Sequence, residues 1–192
     1  MAHFDPILSP PVRLVRLTQE HDFKPFDCGN TDLNNFLIED SKYNLKYLLS
    51  VTYVIENEDK TIAYFNVAND LLRISADSHK KFKSILRRKV KDKYLYKLFN
   101  YTEFPAVKIG RLAVNKDFQC RGIGTQLIKA ITYSFINNNK TGCVFITVEA
   151  LNNPRTINFY EKNGFNYLIE PDAKKESLVM FRCLLNYIQY PK

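Results

Sequence analysis

Apolar residues along the chain recur at two periods, and the switches between them mark its elements. VRLVRL (12–17) predicts a first strand. In FDCGNTDLNNFLIEDSKYNLKYLL (26–49), Leu33, Phe36 and Leu37 fall at helical spacing, with Thr31 in the N-cap position. LLSVTYVIE (48–56) and TIAYFNVANDLLRI (61–74), joined by NEDK, predict a hairpin of two β-rich strands. SHKKFKSILRRKVKDKYLYKLFN (78–100) places Phe82, Ile85, Leu86, Val90, Leu95 and Leu98 on roughly one face of a helix or of two short ones.

PAVKIGRLAV (105–114) predicts a strand with Val107, Ile109 and Leu112 in the core. A glycine turn follows in QCRGIGTQLI (119–128). Beyond it Leu127, Ile128, Ile131 and Phe135 share one helical face until NNNK ends the run. CVFITVEAL (143–151) is the continuous apolar run of a strand buried on both faces. Asn153 and Pro154 suit the N-cap and first position of a helix that runs through TINFYEKN to Gly164, a fitting C′ glycine. SLVMFRCLL (177–185) closes as a strand. Strand, glycine turn, helix, strand, short helix, strand is an α/β order and predicts a mixed sheet. No repeat, low-complexity tract or linker interrupts it, so residues 1–192 are expected to form one domain.

Composition narrows the class without naming a chemistry. With 45% hydrophobic and 25% charged residues the chain has the make-up of a globular protein. No apolar run approaches a membrane span, and the N-terminal stretch lacks the apolar region and cleavage site of a signal peptide. Cys28, Cys120, Cys143 and Cys183 are widely spaced, without a CxxC pair, which predicts reduced thiols and no metal site. The cytosol is the expected compartment. Charge is local: Lys80–Lys97 carries nine Lys and Arg against Asp92 alone, so this segment accounts for the whole formal charge of +8. Such a segment is either a solvated helix face or a surface for polyanions, RNA and phosphorylated cofactors among them.

The glycine turn suits a diphosphate. Between a strand and a helix it presents backbone N–H groups at the positive end of the helix dipole, and glycine allows close approach and positive φ. A triphosphate loop needs Lys-Ser or Lys-Thr after Gly124, and neither follows. A dinucleotide turn needs a small third residue where Leu127 stands, so that reading survives only weakly, with Glu149 as its ribose-binding acid.

The ordered set IGRLAVNKDFQCRGIG, TVEALNNP and NFYEKNGF resembles the GNAT superfamily of acetyl-CoA-dependent N-acetyltransferases. The resemblance implies a GNAT fold, a central mixed sheet flanked by helices, here with a basic helical insertion around 75–104. It implies that Gln119, Cys120, Arg121, Gly122, Ile123, Gly124 and Thr125 bind the pyrophosphate of acetyl-CoA, chiefly through main-chain amides. Leu112, Ala113 and Val114 would pair with the pantetheine arm, and Asn153 would bond the pantetheine or thiol region. Tyr160 matches the family's general acid for the departing thiolate. No general base is evident. Glu149 and Glu103 are candidates that no motif supports, and an α-amine, with its lower pKa, needs a base least.

FDCGNTDLNNFL, FPAVKIGRLAV and NFYEKNGF together are similar to the GNAT toxins of toxin–antitoxin modules. That similarity implies aminoacyl-tRNA as the acceptor, its phosphates lying along Lys80–Lys97, an antitoxin partner, and compatibility with a homodimer. The longer insertion before the central strand departs from the toxins and leaves a stand-alone enzyme with another amine acceptor open. A non-catalytic acetyl-CoA-binding module and a dinucleotide-binding oxidoreductase are the alternatives from other classes.

Overall fold

The computed structural model describes residues 12–89, 95–137, 141–169 and 171–188, without the side chains of residues 77, 88, 89, 95 and 96. Seven strands form a mixed sheet in the order β1-β2-β3-β4-β5-β7-β6. The chain clusters into two compact units, through both of which β3 (Thr61–Arg73), β4 (Glu103–Val114) and α5 (Ile123–Ile136) run. One unit holds residues up to Ala68 with Ile109–Ala130; the other holds Asn69–Lys108 with residues from Ile131 onward. No helix among the described residues is long and apolar enough to cross a membrane.

In the first unit, β1 (Arg13–Arg16) pairs antiparallel with β2 (Val51–Glu56), and β2 pairs antiparallel with β3. The connecting turn is the expected NEDK, closed by Asn57 Oδ1 accepting from the amides of Asp59 and Lys60 at 3.0 and 2.8 Å. Tyr64 is fully buried among Phe26, Phe36, Val54 and Ala113, and its hydroxyl donates to the Leu33 carbonyl at 2.6 Å. A buried phenol needs such a partner. The helical segment expected within 26–49, after an N-cap at Thr31, is present and is broken once. It divides into α1 (Thr31–Asn35), a π-helical turn (Phe36–Asp40) and α2 (Ser41–Lys46). The N-cap is Asn30 rather than Thr31: Asn30 has extended backbone angles and its side chain accepts from Leu33 N at 3.0 Å, which leaves Thr31 as the first helical residue.

In the second unit, α3 (Ala76–Lys89) and α4 (Leu95–Leu98) occupy the expected insertion as two helices. Val90, Lys91, Asp92 and Lys93 lie outside the described residues. The α3 ring of Phe82 lies 5.3–5.7 Å, centre to centre, from Phe104, Phe145 and Phe181. Leu72, Ile85 and Leu86 complete that cluster. Burying one such ring contributes about 2–3 kcal/mol, so an amphipathic helix with many lysines is fastened by its apolar stripe. Lys83 and Arg87, one turn apart, both lie against Phe99, which packs on the same cluster, at 5.4 and 5.1 Å from the ring centre.

β5 (Phe145–Leu151) pairs antiparallel with β7 (Ser177–Cys183), and β6 (Asn166–Tyr167) adds to the outer side of β7. α6 (Pro154–Lys162) connects β5 to β6, and a 3₁₀ turn follows β7 (Leu184–Tyr187). Val107, Ile109, Leu127, Ile128 and Ile131 are core residues as expected. Leu112 and Phe135 are only half-buried, because each lies near the end of its element.

Candidate active site

In the first unit, β4 ends at Val114 and the chain turns through a 3₁₀ helix (Lys116–Phe118) into α5. Asn115 anchors the turn. It is 4% exposed, its amide donates to the Ile62 carbonyl at 2.8 Å, and its side chain bonds both Thr61 O and Asp117 N. Gln119 is a strut: its Nε2 donates to Val114 O at 2.9 Å and to Cys28 O at 2.8 Å. Both protons of that nitrogen are therefore committed to the protein's own main chain, tying the strand end to the 26–30 segment.

Cys120 and Gly122 both have positive φ, 59° and 77°, and Cys120, Arg121 and Gly122 are exposed. A side chain on Gly122 would meet nothing within 4 Å, so glycine is required there by backbone conformation and not by crowding. The first helical bond of α5 runs from Gln126 N to Gly122 O at 3.1 Å. The amides of Ile123 and Gly124 stand at the helix start, ahead of that bond. No acidic residue stands in the first turn. Ile123 is 2% exposed, so its side chain belongs to the core and only its amide is available. A row of N–H groups at a positive helix end, behind an exposed glycine, is built to receive a phosphorylated group.

The motif FDCGN braces this turn from across the unit. Asp27 accepts from Gly29 N at 2.8 Å, from Asn34 Nδ2 at 3.0 Å and from Lys116 Nζ at 2.8 Å. The Lys116 ammonium, then the two other donors, hold the Asp27 carboxyl far below its ordinary value of 3.8. A depressed carboxylate contributes stability that is complete above pH 3.8 and is lost as pH falls through the lower folded-state value. Asp27→Asn is accordingly expected to melt below the wild type at pH 7, with the gap closing under pH 3.8. Thermal unfolding from pH 7 to 2 reads this directly, and a gap constant with pH would remove Asp27 from the account.

In the second unit, α6 explains the motif NNPRTINFYEKNGF residue by residue. Asn153 has extended backbone angles and its Oδ1 accepts from Thr156 N at 2.9 Å, with Pro154 at the first helical position. The helix stops as a Schellman motif. Gly164, at φ 79°, donates its amide to Glu161 O at 2.9 Å, and Phe165 N donates to Tyr160 O at 3.0 Å. The apolar contact that accompanies this motif is Phe165 against Tyr160, ring centres 5.1 Å apart. Phe159 touches the same ring at 5.1 Å. A Cβ at Gly164 would stand 2.9 Å from the Tyr187 hydroxyl and 3.3 Å from Arg182 Nη1, so packing adds to the conformational demand.

Tyr160 is half-buried, and burial pushes its phenol up to about 12. It stays protonated throughout the physiological range, the state a donor needs. Both carboxylates considered as bases are tied up. Glu149 pairs with Lys108 at 3.0 Å and accepts from Ser177 at 3.0 Å; Glu103 pairs with Arg73 at 2.9 Å. Gln119, expected at the pyrophosphate, is found as a strut, and that role and the brace Asp27 have no signal in the sequence, since their partners are brought together only by folding.

A mixed sheet whose strand runs through a glycine turn into a helix places the chain in the α/β class. The family is narrower. The family model of the acetyltransferase (GNAT) domain matches residues 49–167, more than half of the chain, and the protein belongs to that family. The tRNA(Met) cytidine acetyltransferase TmcA of Haemophilus ducreyi is 32% identical over 81 residues. That match covers 42% of this chain but only 13% of the relative's length. Among solved structures, AtaT complexed with acetyl-methionyl-tRNAfMet has a TM-score of 0.65 at 22% identity, covering 90% of this chain and 95% of that one. A tyrosine-to-phenylalanine mutant of the AtaT toxin, bound to the C-terminus of the antitoxin AtaR and acetyl-CoA, has a TM-score of 0.62 at 19% identity. It covers 90% of this chain and 93% of that one. At these identities the structures speak for the fold.

Proposed function

We propose that the protein is a single-domain N-acetyltransferase that moves the acetyl group of acetyl-CoA to a primary amine in a ternary complex. The observation that carries this is Tyr160, a protonated, half-buried phenol placed by the Schellman stop of α6 within the family's NFYEKNGF motif. The amides of Cys120 to Thr125 take the pyrophosphate, Arg121 adds a charge, and Leu112 to Val114 pair with the pantetheine. Gln119 serves by holding the turn, and Asn153 by starting α6 and reaching the thiol region. The amine nitrogen attacks the thioester carbon, the C–S bond breaks, and the amine proton leaves to water.

Tyr160 donates its O–H to the departing sulphur. Full proton transfer from a phenol at about 12 to an ordinary thiolate near 8.5 runs uphill by about 5 kcal/mol. The contribution is therefore a hydrogen bond that strengthens as charge develops on sulphur, with the thiol's proton ultimately drawn from solvent. A cytosolic setting, where acetyl-CoA is made and used, suits this reading.

The acceptor that fits best is the α-amine of aminoacyl-tRNA. AtaT, of like fold, is complexed with acetyl-methionyl-tRNAfMet, and α3 offers cations to phosphates. An antitoxin partner and a homodimer belong to the same reading. Replacing Arg87, Arg88 and Lys89 by Gln is expected to weaken RNA binding and to lower its salt slope by about 2, from roughly 0.7–0.9 per lost phosphate contact. Acetyl-CoA affinity should not change. Filter binding across a salt series measures both, and no RNA binding by the wild type at low salt would remove the tRNA acceptor. The function is tested by mass spectrometry of acetylated products after incubation with acetyl-CoA and charged tRNA, polyamines or peptides. Calorimetry showing NAD(P) binding in place of acetyl-CoA would favour the oxidoreductase instead.

A further inference from the structure

Within the second unit, the sheet face that carries the aromatic cluster under α3 turns polar farther along its strands. Residues two apart share a face. Along β3 the cluster residue Leu72 is preceded by Asp70; along β4, Phe104 and Ala106 are followed by Lys108; along β5, Phe145 is followed by Thr147 and Glu149. These polar residues, with Leu168 and Val179, line a cavity of about 230 Å³. That is below the roughly 300–1,000 Å³ of pockets for drug-sized ligands and suits a group of amino-acid size.

Four charged residues line the cavity, Asp70, Arg73, Lys108 and Glu149, and among the described residues Asp70 alone of the four has no charged partner. Lys108 is matched by Glu149 at 3.0 Å, and Arg73 by Glu103 at 2.9 Å. Asp70 is the surplus. One of its oxygens accepts the hydroxyl of Thr147, which is 3% exposed, and no cation pairs with it among the described residues. A half-buried carboxylate held by a single neutral donor has lost water without gaining a counter-ion, and a ligand's cation supplies one.

We propose that this cavity is the acceptor subsite and that Asp70 binds the acceptor's primary ammonium group, with Thr147 fixing the carboxylate; the bound nitrogen gives up one proton to water before it attacks. The proposal rests on the acetyltransferase reading and adds what that reading lacks, a residue that selects an amine. It also gives the Lys108–Glu149 pair a role, since Lys108, neutralised by its partner, does not repel the incoming cation.

The test compares methioninamide, an amino-acid-sized primary ammonium without a carboxylate, with N-acetylmethioninamide, its uncharged counterpart. Both are titrated into the wild type and Asp70→Asn by calorimetry, with acetyl-CoA titrated in parallel. The wild type is expected to prefer methioninamide by at least tenfold. Asp70→Asn should abolish that preference while melting temperature and acetyl-CoA affinity stay unchanged. Thr147→Val, which keeps the charge but frees it, should weaken methioninamide several-fold. Equal affinity for methioninamide in wild type and Asp70→Asn, or no preference for the charged probe in the wild type, overturns the proposal. Failure of acetyl-CoA to bind is a separate outcome: it would end the acetyltransferase reading and, with it, the acceptor assignment, while the ammonium comparison still reports on Asp70.

Discussion

Tyr160→Phe is expected to lower kcat by about 10²–10³-fold, the range that loss of one hydrogen-bond donor to developing charge produces. The Michaelis constant for acetyl-CoA should move little. Phenylalanine keeps the ring, and with it the contacts to Phe159 and Phe165 that seal the end of α6. No described residue hydrogen-bonds the phenol through its oxygen, so the fold has nothing to lose and melting should be unchanged. Only the O–H disappears. The pH profile separates this role from that of a catalytic base. With the phenol held near 12, the rate should rise as the acceptor amine loses its proton and then stay level to at least pH 10. Steady-state kinetics on wild type and variant would decide, and a rate within threefold of the wild type would remove Tyr160 as the donor and favour a non-catalytic binding module.

Gly122→Val is expected to weaken acetyl-CoA by about 10–100-fold while changing stability by little more than its backbone strain. At φ 77° a residue with a Cβ costs roughly 1–2 kcal/mol in the left-handed region, and a β-branched one more. The space beside Gly122 is open, so the protein itself resists the side chain only conformationally. The chain can escape that strain by rotating the turn, which would re-aim the amides ahead of Gln126. Each hydrogen bond to a charged phosphate contributes about 1.5–3 kcal/mol, so losing one good bond accounts for the expected change. Calorimetry with acetyl-CoA and a thermal melt together test this; an unchanged Kd would move the pyrophosphate away from this turn.

How much of this was legible in the sequence follows from how far apart the interacting residues lie. The start and stop of α6 were readable because Asn153 reaches only to Thr156 and Phe165 only back to Tyr160. The glycine turn was readable for the same reason, and the strands because their periods are local. The Gln119 strut spans 91 residues to Cys28, and the Asp70–Thr147 pair spans 77. No local pattern announces either. Glu149 and Glu103 looked available as bases because Lys108 and Arg73 come beside them only in the folded sheet. The cap falls on Asn30, one position before the expected Thr31, because both are capping residues and only the folded backbone shows which of them is extended.

The Schellman stop of α6 makes the phenol's placement portable. The two ring contacts, to Phe159 and Phe165, and the helix stop at Gly164 lie within seven consecutive residues. Transplanting that heptapeptide to the end of another helix should carry the aim of the hydroxyl with it, provided the new site leaves room for Phe165. Enzyme design could then treat a positioned proton donor as a way of ending a helix.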